Sequence, residues 1–400
     1  MSAPANAGSW RDWSAVEADN VRARGQWRAP VDFDADGPEG KLADDGHAVV
    51  SFASNDYLGL TQHPAVLAAA HAAVDRWGTG AGAARLIVGS RPVHTELERE
   101  LADWKHAERA VLFSTGFAAN LGVLTTFAGP DVLVCSDELN HASIIDGRKL
   151  SGAQLEVYRH ADAAHVDELL AASTATRAVV VSESVFSMDG DVAPVDDLVD
   201  VCARHGALLV LDEAHAVLGP DLASVAGIAA RHGAGIAAQH GAGIAVRHGA
   251  GDVLRVGTLS KTLGALGGYV AGPAVFTDLL VNRARSYIFT TASTPADAAA
   301  ALAALGVVRS GEGDELRARL RRHVERLRPG HPSPIIPYVC GDEQAALDAA
   351  AALLDEGLLV TAIRPPTVPP GTSRLRVTVS ATHTDDQVER LARALTTHFP

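Results

Sequence analysis

An aspartate and a lysine, each placed just after a short apolar run, are the residues of this sequence best suited to chemistry. Asp212 follows residues 207–211 and begins the tetrapeptide Asp-Glu-Ala-His, which ends at His215. Lys261 follows a second apolar run, within the segment Thr-Leu-Ser-Lys-Thr that starts at Thr258. A lysine that is shielded from water loses part of its affinity for a proton and becomes a nucleophile. The two residues predict a cleft in which an amine reacts beside a fixed carboxylate.

The elements that must position these residues alternate between short apolar runs and helical stretches. This alternation is typical of βαβ units, which build a largely parallel sheet. The predicted strands are residues 110–113, 131–134, 178–181, 207–211 and 253–256. Ligands of open α/β sheets bind beyond the carboxyl ends of the strands. Because polar or ionisable side chains follow each predicted strand, we expect one site assembled from five loops.

The length of 400 residues exceeds what a single hydrophobic core usually supports, so we expect a large domain and a smaller one. The pattern predicts an N-terminal helix and arm over residues 1–50 and a large α/β domain over residues 51–295. A small C-terminal α+β domain is predicted over residues 296–400. Residues 229–251 or so nearly repeat one eight-residue unit and are predicted to be an inserted surface segment.

Composition excludes several classes of function. The net charge of −14 argues against nucleic-acid binding, because phosphate contacts need clustered lysines and arginines. The apolar segments are too short to span a bilayer, and the N-terminus lacks the apolar run of a signal peptide. The three cysteines (Cys135, Cys202 and Cys340) are far apart, which fits a reducing compartment and no zinc site. We therefore expect a cytoplasmic protein that binds neither nucleic acid nor membrane.

The repeated segment carries three histidines, His232, His240 and His248, at a spacing of eight residues. On a helix, eight steps of about 100° would rotate each histidine by about 80° from the last, which is a poor metal-binding face. We expect no metal site here, with an interface or an adventitious nickel site as the alternative.

Two motifs invite other interpretations. The tetrapeptide from Asp212 to His215 is that of a helicase box, but no phosphate-binding GxxxxGK[ST] loop accompanies it. Capping of the following helix is a further role open to Asp212. The glycine-rich residues 78–82 follow a helical pattern, whereas a dinucleotide fingerprint needs a preceding strand.

The segment Ser-Thr-Gly-Phe at residues 114–117 begins a predicted helix with no charged residue. The first turn of a helix has unsatisfied N–H groups and the positive end of the helix dipole. We therefore expect an anion site at Gly116 and Phe117, with an ordinary capped helix as the alternative.

Six motifs together resemble those of the α-oxoamine synthases, which are pyridoxal 5′-phosphate (PLP) enzymes of fold type I. They occur in that family's order as NDYLGL from Asn55, STGFAAN, LNHAS, SVFSMDGD, DEAH and the TLSK that ends at Lys261. The resemblance extends from about residue 50 to the C-terminus. It implies a large domain with a mostly parallel sheet, a small C-terminal α+β domain and PLP as the cofactor.

The resemblance also implies roles for individual residues. Lys261 would bind PLP covalently, Asp212 would pair with the pyridine nitrogen and His141 would stack on the ring. His215 would hydrogen-bond to the ring oxygen and completes the implied catalytic set. Further cofactor contacts are implied for Gly116, Phe117, Ser187, Thr258 and Thr291. Substrate contacts are implied for Arg28, Asn55, His141, Thr367 and Arg376. Of these, Arg376 would hold the substrate carboxylate. The alternative for Arg28 is an exposed surface position without a substrate contact.

Residues 361–376 (TAIRPPTVPPGTSRLR) resemble the branch of the family that makes 8-amino-7-oxononanoate for biotin biosynthesis. The implied reaction joins L-alanine to a pimeloyl thioester, carried by CoA or an acyl carrier protein, with release of CO2 and the free thiol. Residues 289–291 resemble the segment that reaches into a neighbouring subunit, which implies a homodimer. Ala216 departs from the glycine that is usual in the family, which leaves the choice of substrate open.

Two alternatives remain at this point. The first is another α-oxoamine synthase, such as a glycine C-acetyltransferase. The second is a non-catalytic metal-binding or interaction protein that uses the histidine repeat.

Overall fold

The computed structural model describes residues 9–218 and 252–398, so the predicted insertion at 229–251 lies outside the described residues. The N-terminal part begins with a helix whose Ser9 cap accepts a hydrogen bond from the backbone of Asp12. Three short strands and two longer helices follow. These elements are α1 (Trp10–Ala23), β1 (Phe33–Ala35), β2 (Glu39–Leu42), β3 (Ala48–Ser51), α2 (Pro64–Trp77) and α3 (Pro92–Trp104).

The central part of the chain alternates strands and helices as the sequence predicts. Its strands are β4 (Arg109–Phe113), β5 (Val132–Asp137), β6 (Gln154–Tyr158), β7 (Arg177–Glu183), β8 (Leu208–Asp212), β9 (Val253–Thr258) and β10 (Gly268–Gly272). The helices are α4 (Gly116–Phe127), α5 (Ala142–Ser151), α6 (Ala163–Ala172), α7 (Val195–His205), α8 (Ala274–Arg283) and α9 (Arg285–Ile288).

These seven strands form one sheet in the order β4–β10–β9–β8–β7–β5–β6. Strand β10 runs antiparallel to both of its neighbours, whereas the pairs from β9 to β6 are parallel. Helices cover the sheet, and the inner strands are almost wholly apolar and buried, as expected for a parallel sheet with two covered faces. The carboxyl ends of β5, β7, β8 and β9 therefore meet at one edge, where they deliver the polar residues that follow them.

The five predicted strands are confirmed, and the structure adds β6 and β10. Strand β6 lies at the edge of the sheet and has mostly exposed side chains, so it lacks the apolar run that marks its neighbours. Strand β10 has a glycine at each end. A methyl group at Gly268 would lie 2.4 Å from the carbonyl oxygen of Thr115, so this glycine permits close contact with the start of α4.

The C-terminal part contains a separate three-stranded sheet in the order β11–β14–β13. Its elements are α10 (Pro295–Val308), α11 (Gly311–Leu327), β11 (Ile335–Gly341), α12 (Glu343–Asp355), β12 (Leu358–Leu359), β13 (Thr361–Ile363), β14 (Ser373–Thr378) and α13 (Asp385–His398). Strand β12 instead pairs with β3 and joins the small sheet β1–β2–β3–β12. The two ends of the chain are thus linked, and the predicted boundaries at residues 50 and 295 stay predictions.

One hydrophobic core connects these parts. It runs from Phe52, Tyr57 and Leu60 through α2, α3 and α10 to the strands and last helix of the C-terminal part. Because Tyr57 and Leu60 are fully buried in this core, the segment between them is held rigidly against the carboxyl edge of the large sheet.

Candidate active site

Asp212 ends β8 and lies buried at the carboxyl edge of the sheet. The amide nitrogen of Asn120 donates to Asp212 Oδ2 at 2.7 Å, and the backbone N–H of Ala214 donates to Oδ1 at 2.9 Å. Asn120 also donates to the hydroxyl of Ser143 at 2.9 Å, while its own buried Oδ1 has no protein partner among the described residues. The carboxylate is therefore fixed by neutral donors and remains available to a cation.

Lys261 follows β9 and is partly buried. Burial lowers the pKa of its amine below the usual value, and the carboxylates of Asp212 and Glu183 act in the opposite direction. Both carboxylates are therefore close enough to Lys261 to act on the protonation of its amine. A lysine in this environment is more often neutral, and hence more nucleophilic, than a lysine in water.

A hydrogen-bonded chain joins His215 to Arg376 across the fold. His215 Nδ1 lies 2.5 Å from Tyr57 Oη, and Tyr57 Oη lies 3.2 Å from Asn55 Oδ1. Burial lowers the pKa of His215 well below its usual value, and nearby Lys261 lowers it further. Burial also raises the pKa of Tyr57 to about 12. Both groups are therefore neutral near pH 7. The hydrogen bonds from His215 through Tyr57 to Asn55 thus involve only uncharged groups, and the positive charge lies at Arg376.

Arg376 lies on β14 and is buried, with its guanidinium held by three different groups. Its Nε donates to the carbonyl oxygen of Ser187 at 2.6 Å, and its two terminal nitrogens donate to Thr378 Oγ1 at 2.9 Å and Asn55 Oδ1 at 3.1 Å. All three acceptors are neutral. The positive charge is thus fixed in direction without being neutralised by them, which suits the binding of a carboxylate.

Glu183 ends β7 and pairs in register with Asp212 on the neighbouring strand. Its Oε2 accepts from the backbone N–H of Ser187 at 3.1 Å, whereas its buried Oε1 has no hydrogen-bond partner among the described residues. Burial, together with the charge of Asp212, raises the pKa of Glu183 well above its usual value. This environment favours the protonated form of Glu183 beside the carboxylate of Asp212.

The remaining predicted cofactor contacts surround the start of α4. His141 caps α5 by accepting from the backbone N–H of Ser143 at 3.2 Å; the residue is exposed, and its ring and that of Phe117 are roughly perpendicular. A methyl group at Gly116 would lie 3.3 Å from the Cβ atom of Thr258, so the helix start and the end of β9 are in close contact. The structure therefore brings the predicted anion site next to the lysine segment.

Three predicted site residues lie apart from this cluster. Arg28, Thr291 and Thr367 are exposed on loops before β1, before α10 and before β14. Among the described residues, no hydrogen bond joins any of them to the buried cluster. Their assigned contacts stay predictions.

Sequence reasoning missed three residues of the cluster, Tyr57, Asn120 and Glu183. Two of them stand inside quoted motifs, since Tyr57 belongs to NDYLGL and Asn120 to STGFAAN. Glu183 directly precedes the SVFSMDGD motif at a strand end. The end of a predicted strand places Glu183 at the same edge as Asp212, but the sequence assigns it no individual role.

The donor set suits PLP. The cluster supplies a nucleophilic amine, a carboxylate without a cationic hydrogen-bond partner, an exposed imidazole and an uncharged helix start for a phosphate. It also contains buried polar atoms, Asn120 Oδ1 and Glu183 Oε1, that no described protein group satisfies. Among the described residues, no group of three or more His, Cys, Asp or Glu side chains could hold a metal ion.

Comparison with known proteins identifies the family. Residues 47–395 match the family described as aminotransferase class I and II. An 8-amino-7-oxononanoate synthase of Anaeromyxobacter dehalogenans is 46% identical over 97% of this chain and 96% of its own length. The chain belongs to the 8-amino-7-oxononanoate synthase family. Another family member, from Methylococcus capsulatus, is 43% identical over 97% of this chain and 98% of its own length.

Solved structures confirm fold type I for this member of the family. A serine palmitoyltransferase from S. paucimobilis, with bound PLP–myriocin aldimine, has a TM-score of 0.85 at 29% identity and covers 98% of both chains. An 8-amino-7-oxononanoate synthase from Francisella tularensis has a TM-score of 0.68 at 24% identity, over 88% of this chain and 99% of its own, and so supports the fold alone. The cofactor of the protein is PLP. None of the described helices is long and apolar enough to cross a membrane.

Proposed function

We propose that this protein condenses L-alanine with a pimeloyl thioester and releases 8-amino-7-oxononanoate, CO2 and the free thiol. The observation that carries the proposal is that Lys261, Asp212 and Arg376 lie in one cluster of buried or partly buried residues. In a chain of this family, Lys261 and Asp212 are suited to bind the cofactor, and Arg376 is suited to bind the carboxylate of an amino acid.

Lys261 and Asp212 act on the reacting end of the amino acid. Lys261 would hold PLP through its amine and would move the proton at Cα of the substrate. Asp212, kept in place by Asn120 and Ala214 N–H, would hold a proton on the pyridine nitrogen. When bound, PLP would supply an electron sink for the negative charge that develops at Cα. An ion pair at hydrogen-bond distance is worth several kcal/mol in this setting, so the fixed carboxylate matters most where charge develops.

The other side chains orient the reactants. The neutral ring of His215 would offer Nε2 to the oxygen of the PLP ring, because its Nδ1 faces Tyr57. His141 would cover the face of the PLP ring, and Ser187 would contribute a hydroxyl. The backbone N–H groups of Gly116 and Phe117, with Thr258, would bind the phosphate.

Arg376 binds the carboxylate of L-alanine, and Asn55 keeps the guanidinium in position. The acyl substrate enters on the side of Arg28 and Thr367. Support comes from Arg364, whose guanidinium donates to the carbonyl oxygen of Gly25 and joins the two loops that carry these residues. The pimeloyl group is carried as a thioester of either CoA or an acyl carrier protein in this scheme.

We further propose a homodimer in which Thr291 reaches the neighbouring subunit's cofactor. Its support is an exposed apolar surface formed by Leu86, Ile87, Val88 and Phe289. The turn of residues 85–89, which carries three of these side chains, contacts α9, and Phe289 directly follows that helix. Exposed apolar surface is common where proteins contact one another. The free thiols of the three cysteines support a cytoplasmic location.

A substrate panel tests the reaction. Purified protein with PLP is mixed with pimeloyl-CoA or a short acyl-CoA and with either L-alanine or glycine, and release of the free thiol is followed. The proposal predicts release with L-alanine and pimeloyl-CoA. Release only with glycine and a short acyl-CoA would contradict it and favour a glycine C-acetyltransferase. Absence of any visible absorbance from lysine-bound PLP would contradict both enzymes.

A further inference from the structure

An acid–histidine–acid arrangement lies beside the candidate active site and has no role in the chemistry above. His160 Nδ1 lies 3.0 Å from Asp137 Oδ1, and His160 Nε2 lies 2.7 Å from Asp191 Oδ2. We name these three residues the His160 bridge. The bridge connects three segments that are far apart in sequence: the end of β5, the loop after β6 and the hairpin after β7.

The His160 ring carries a positive charge in this arrangement. A carboxylate only accepts hydrogen bonds, so two carboxylates require that both ring nitrogens donate. Hydrogen bonds to Asp137 and Asp191 raise the pKa of His160 to about 10 against the opposing effect of burial. The carboxylate of Asp137 is inaccessible to solvent, so loss of the cation would leave a buried charge without its counterion.

On one side, the bridge fixes the turn that leads to His141. Asp137 Oδ1 also accepts from the backbone N–H of Leu139 at 2.9 Å, and its Oδ2 accepts from that of Ala161 at 2.8 Å. One buried carboxylate thus orders both the turn after β5 and the loop after β6. The turn ends at His141, the residue that caps α5.

On the other side, the bridge fixes the hairpin that carries Ser187. Within this hairpin, Phe186 N–H donates to the carbonyl oxygen of Asp191 at 3.0 Å. The ring of Phe186 meets the His160 ring edge to face, with centroids 4.3 Å apart. The second oxygen of Asp191 is buried and has no hydrogen-bond partner among the described residues, so His160 holds this carboxylate. Next to Phe186, the carbonyl oxygen of Ser187 accepts from Arg376.

Other charged groups around the bridge have partners or a different role. Glu138 accepts from the backbone N–H of His160 at 3.0 Å, and Arg159 pairs with Asp162 at 2.8 Å. His331 faces Asp191 from the segment before β11, and burial lowers the pKa of that histidine. The positive charge between Asp137 and Asp191 therefore comes from His160.

We propose that His160 is a positioning residue for the condensation, whose charged ring clamps the Ser187 hairpin to the turn of His141. The clamp sets the position of the Ser187 carbonyl and, through it, the direction of Arg376. This inference rests on the proposed function, in which Arg376 binds the alanine carboxylate and His141 covers the cofactor.

His160→Gln tests the clamp, because glutamine has no charge and only one donor nitrogen, while its amide oxygen, an acceptor, replaces the second donor nitrogen of the ring. His205→Gln is the matched control, since His205 donates to Asp167 at 2.6 Å on the surface of α6 and α7. Both variants are assayed with L-alanine and pimeloyl-CoA. We expect His160→Gln to raise KM for L-alanine about tenfold to a hundredfold, whereas the control keeps wild-type kinetics.

A second readout does not depend on turnover. Amide hydrogen exchange of the protein without PLP should be faster in His160→Gln at residues 138–141 and 186–191, and unchanged at α6 and α7. Asp191→Asn is measured in the same way, and it decides whether the clamp exists if His160→Gln does not fold. This variant retains the contact between Asp137 and His160, so exchange should become faster at the same residues but by a smaller factor.

The outcomes separate this inference from the proposed function. If wild-type protein fails to convert L-alanine and pimeloyl-CoA, the proposed function is wrong, and hydrogen exchange alone decides on the clamp. If wild-type protein is active but His160→Gln and Asp191→Asn match His205→Gln in KM and in exchange, the clamp is overturned.

Discussion

Asp212 and Glu213 are adjacent in the sequence and both are buried, but their carboxylates have different partners. Asp212 accepts from an amide side chain and a backbone N–H, at 2.7 Å and 2.9 Å. Glu213 instead contacts two cations: Arg255 donates to both of its oxygens at 2.6 Å and 3.1 Å, and Lys105 lies 2.9 Å away. Burial alone would raise the pKa of Glu213, yet Arg255 and Lys105 lower it.

The difference shows how one strand end serves both stability and chemistry. The charge of Glu213 is compensated within the protein, so it links β8, β9 and the end of α3 and has no need of a ligand. The carboxylate of Asp212 is held in place by neutral donors, so its negative charge remains available to pair with a cationic group of the cofactor. Replacing either acid should therefore affect a different property.

The largest effect is expected at Lys261. Lys261→Ala removes both the amine that holds PLP and the base at Cα, so the rate should fall at least about a thousandfold. Visible absorbance of the lysine-bound cofactor should disappear, while the melting temperature of the protein without PLP stays near that of wild type. Lys149→Ala, at an exposed position on α5, is the control and should keep both absorbance and activity. Wild-type turnover by Lys261→Ala would exclude the assigned role.

Asp212→Asn is expected to have the next largest effect on rate. The amide keeps the shape of the side chain but no longer stabilises the positive pyridine nitrogen. The rate should fall by about a hundredfold to a thousandfold, with little change in unfolding by urea. Steady-state thiol release and urea denaturation measure the two properties. A variant that unfolds readily but retains its rate per folded molecule would reverse the assignment.

Glu213→Gln should show the opposite behaviour. The substitution leaves the charges of Arg255 and Lys105 buried without their acid, which costs about 3–5 kcal/mol in unfolding free energy. Urea denaturation should record this loss, while the rate per folded molecule remains close to that of wild type. A large loss of rate without a loss of stability would remove the contrast between the two acids.

The smallest effect concerns pH. The pKa of His160 is raised from 6.5 to about 10, so its charge stabilises the folded state fully below about pH 6.5. That contribution decreases as pH rises and is lost above about pH 10. The stability advantage of wild type over His160→Gln should therefore shrink across this window, as measured by urea denaturation at several pH values. A difference that is constant or grows with pH would contradict the charged bridge.

The sequence predicted the parts of the site that depend on local pattern. Asp212, Lys261 and the start of α4 follow buried apolar runs, and the structure places them at the predicted edge. The sequence could not predict contacts that depend on tertiary packing. Tyr57 meets His215 across 158 residues, and Arg376 reaches Asn55 across 321 residues. Such pairs depend on how separate layers pack, which no local spacing encodes.

The same distinction applies to what was missed in the fold. Strand β10 begins and ends with glycine and has only three apolar residues between them, so its sequence has little of the apolar run of a buried parallel strand. Glu183 reads as an ordinary polar residue until its strand is seen beside Asp212. Its raised pKa arises from that contact and from burial, not from the neighbouring residues in sequence.

The ratio of CO2 to free thiol tests the central claim most directly. Carboxyl-labelled L-alanine and pimeloyl-CoA are incubated with the protein and PLP, and both products are counted. Decarboxylative condensation predicts equal amounts of CO2 and thiol, and neither product with Lys261→Ala. Thiol release without CO2 would mean simple thioester hydrolysis and would contradict the proposed reaction.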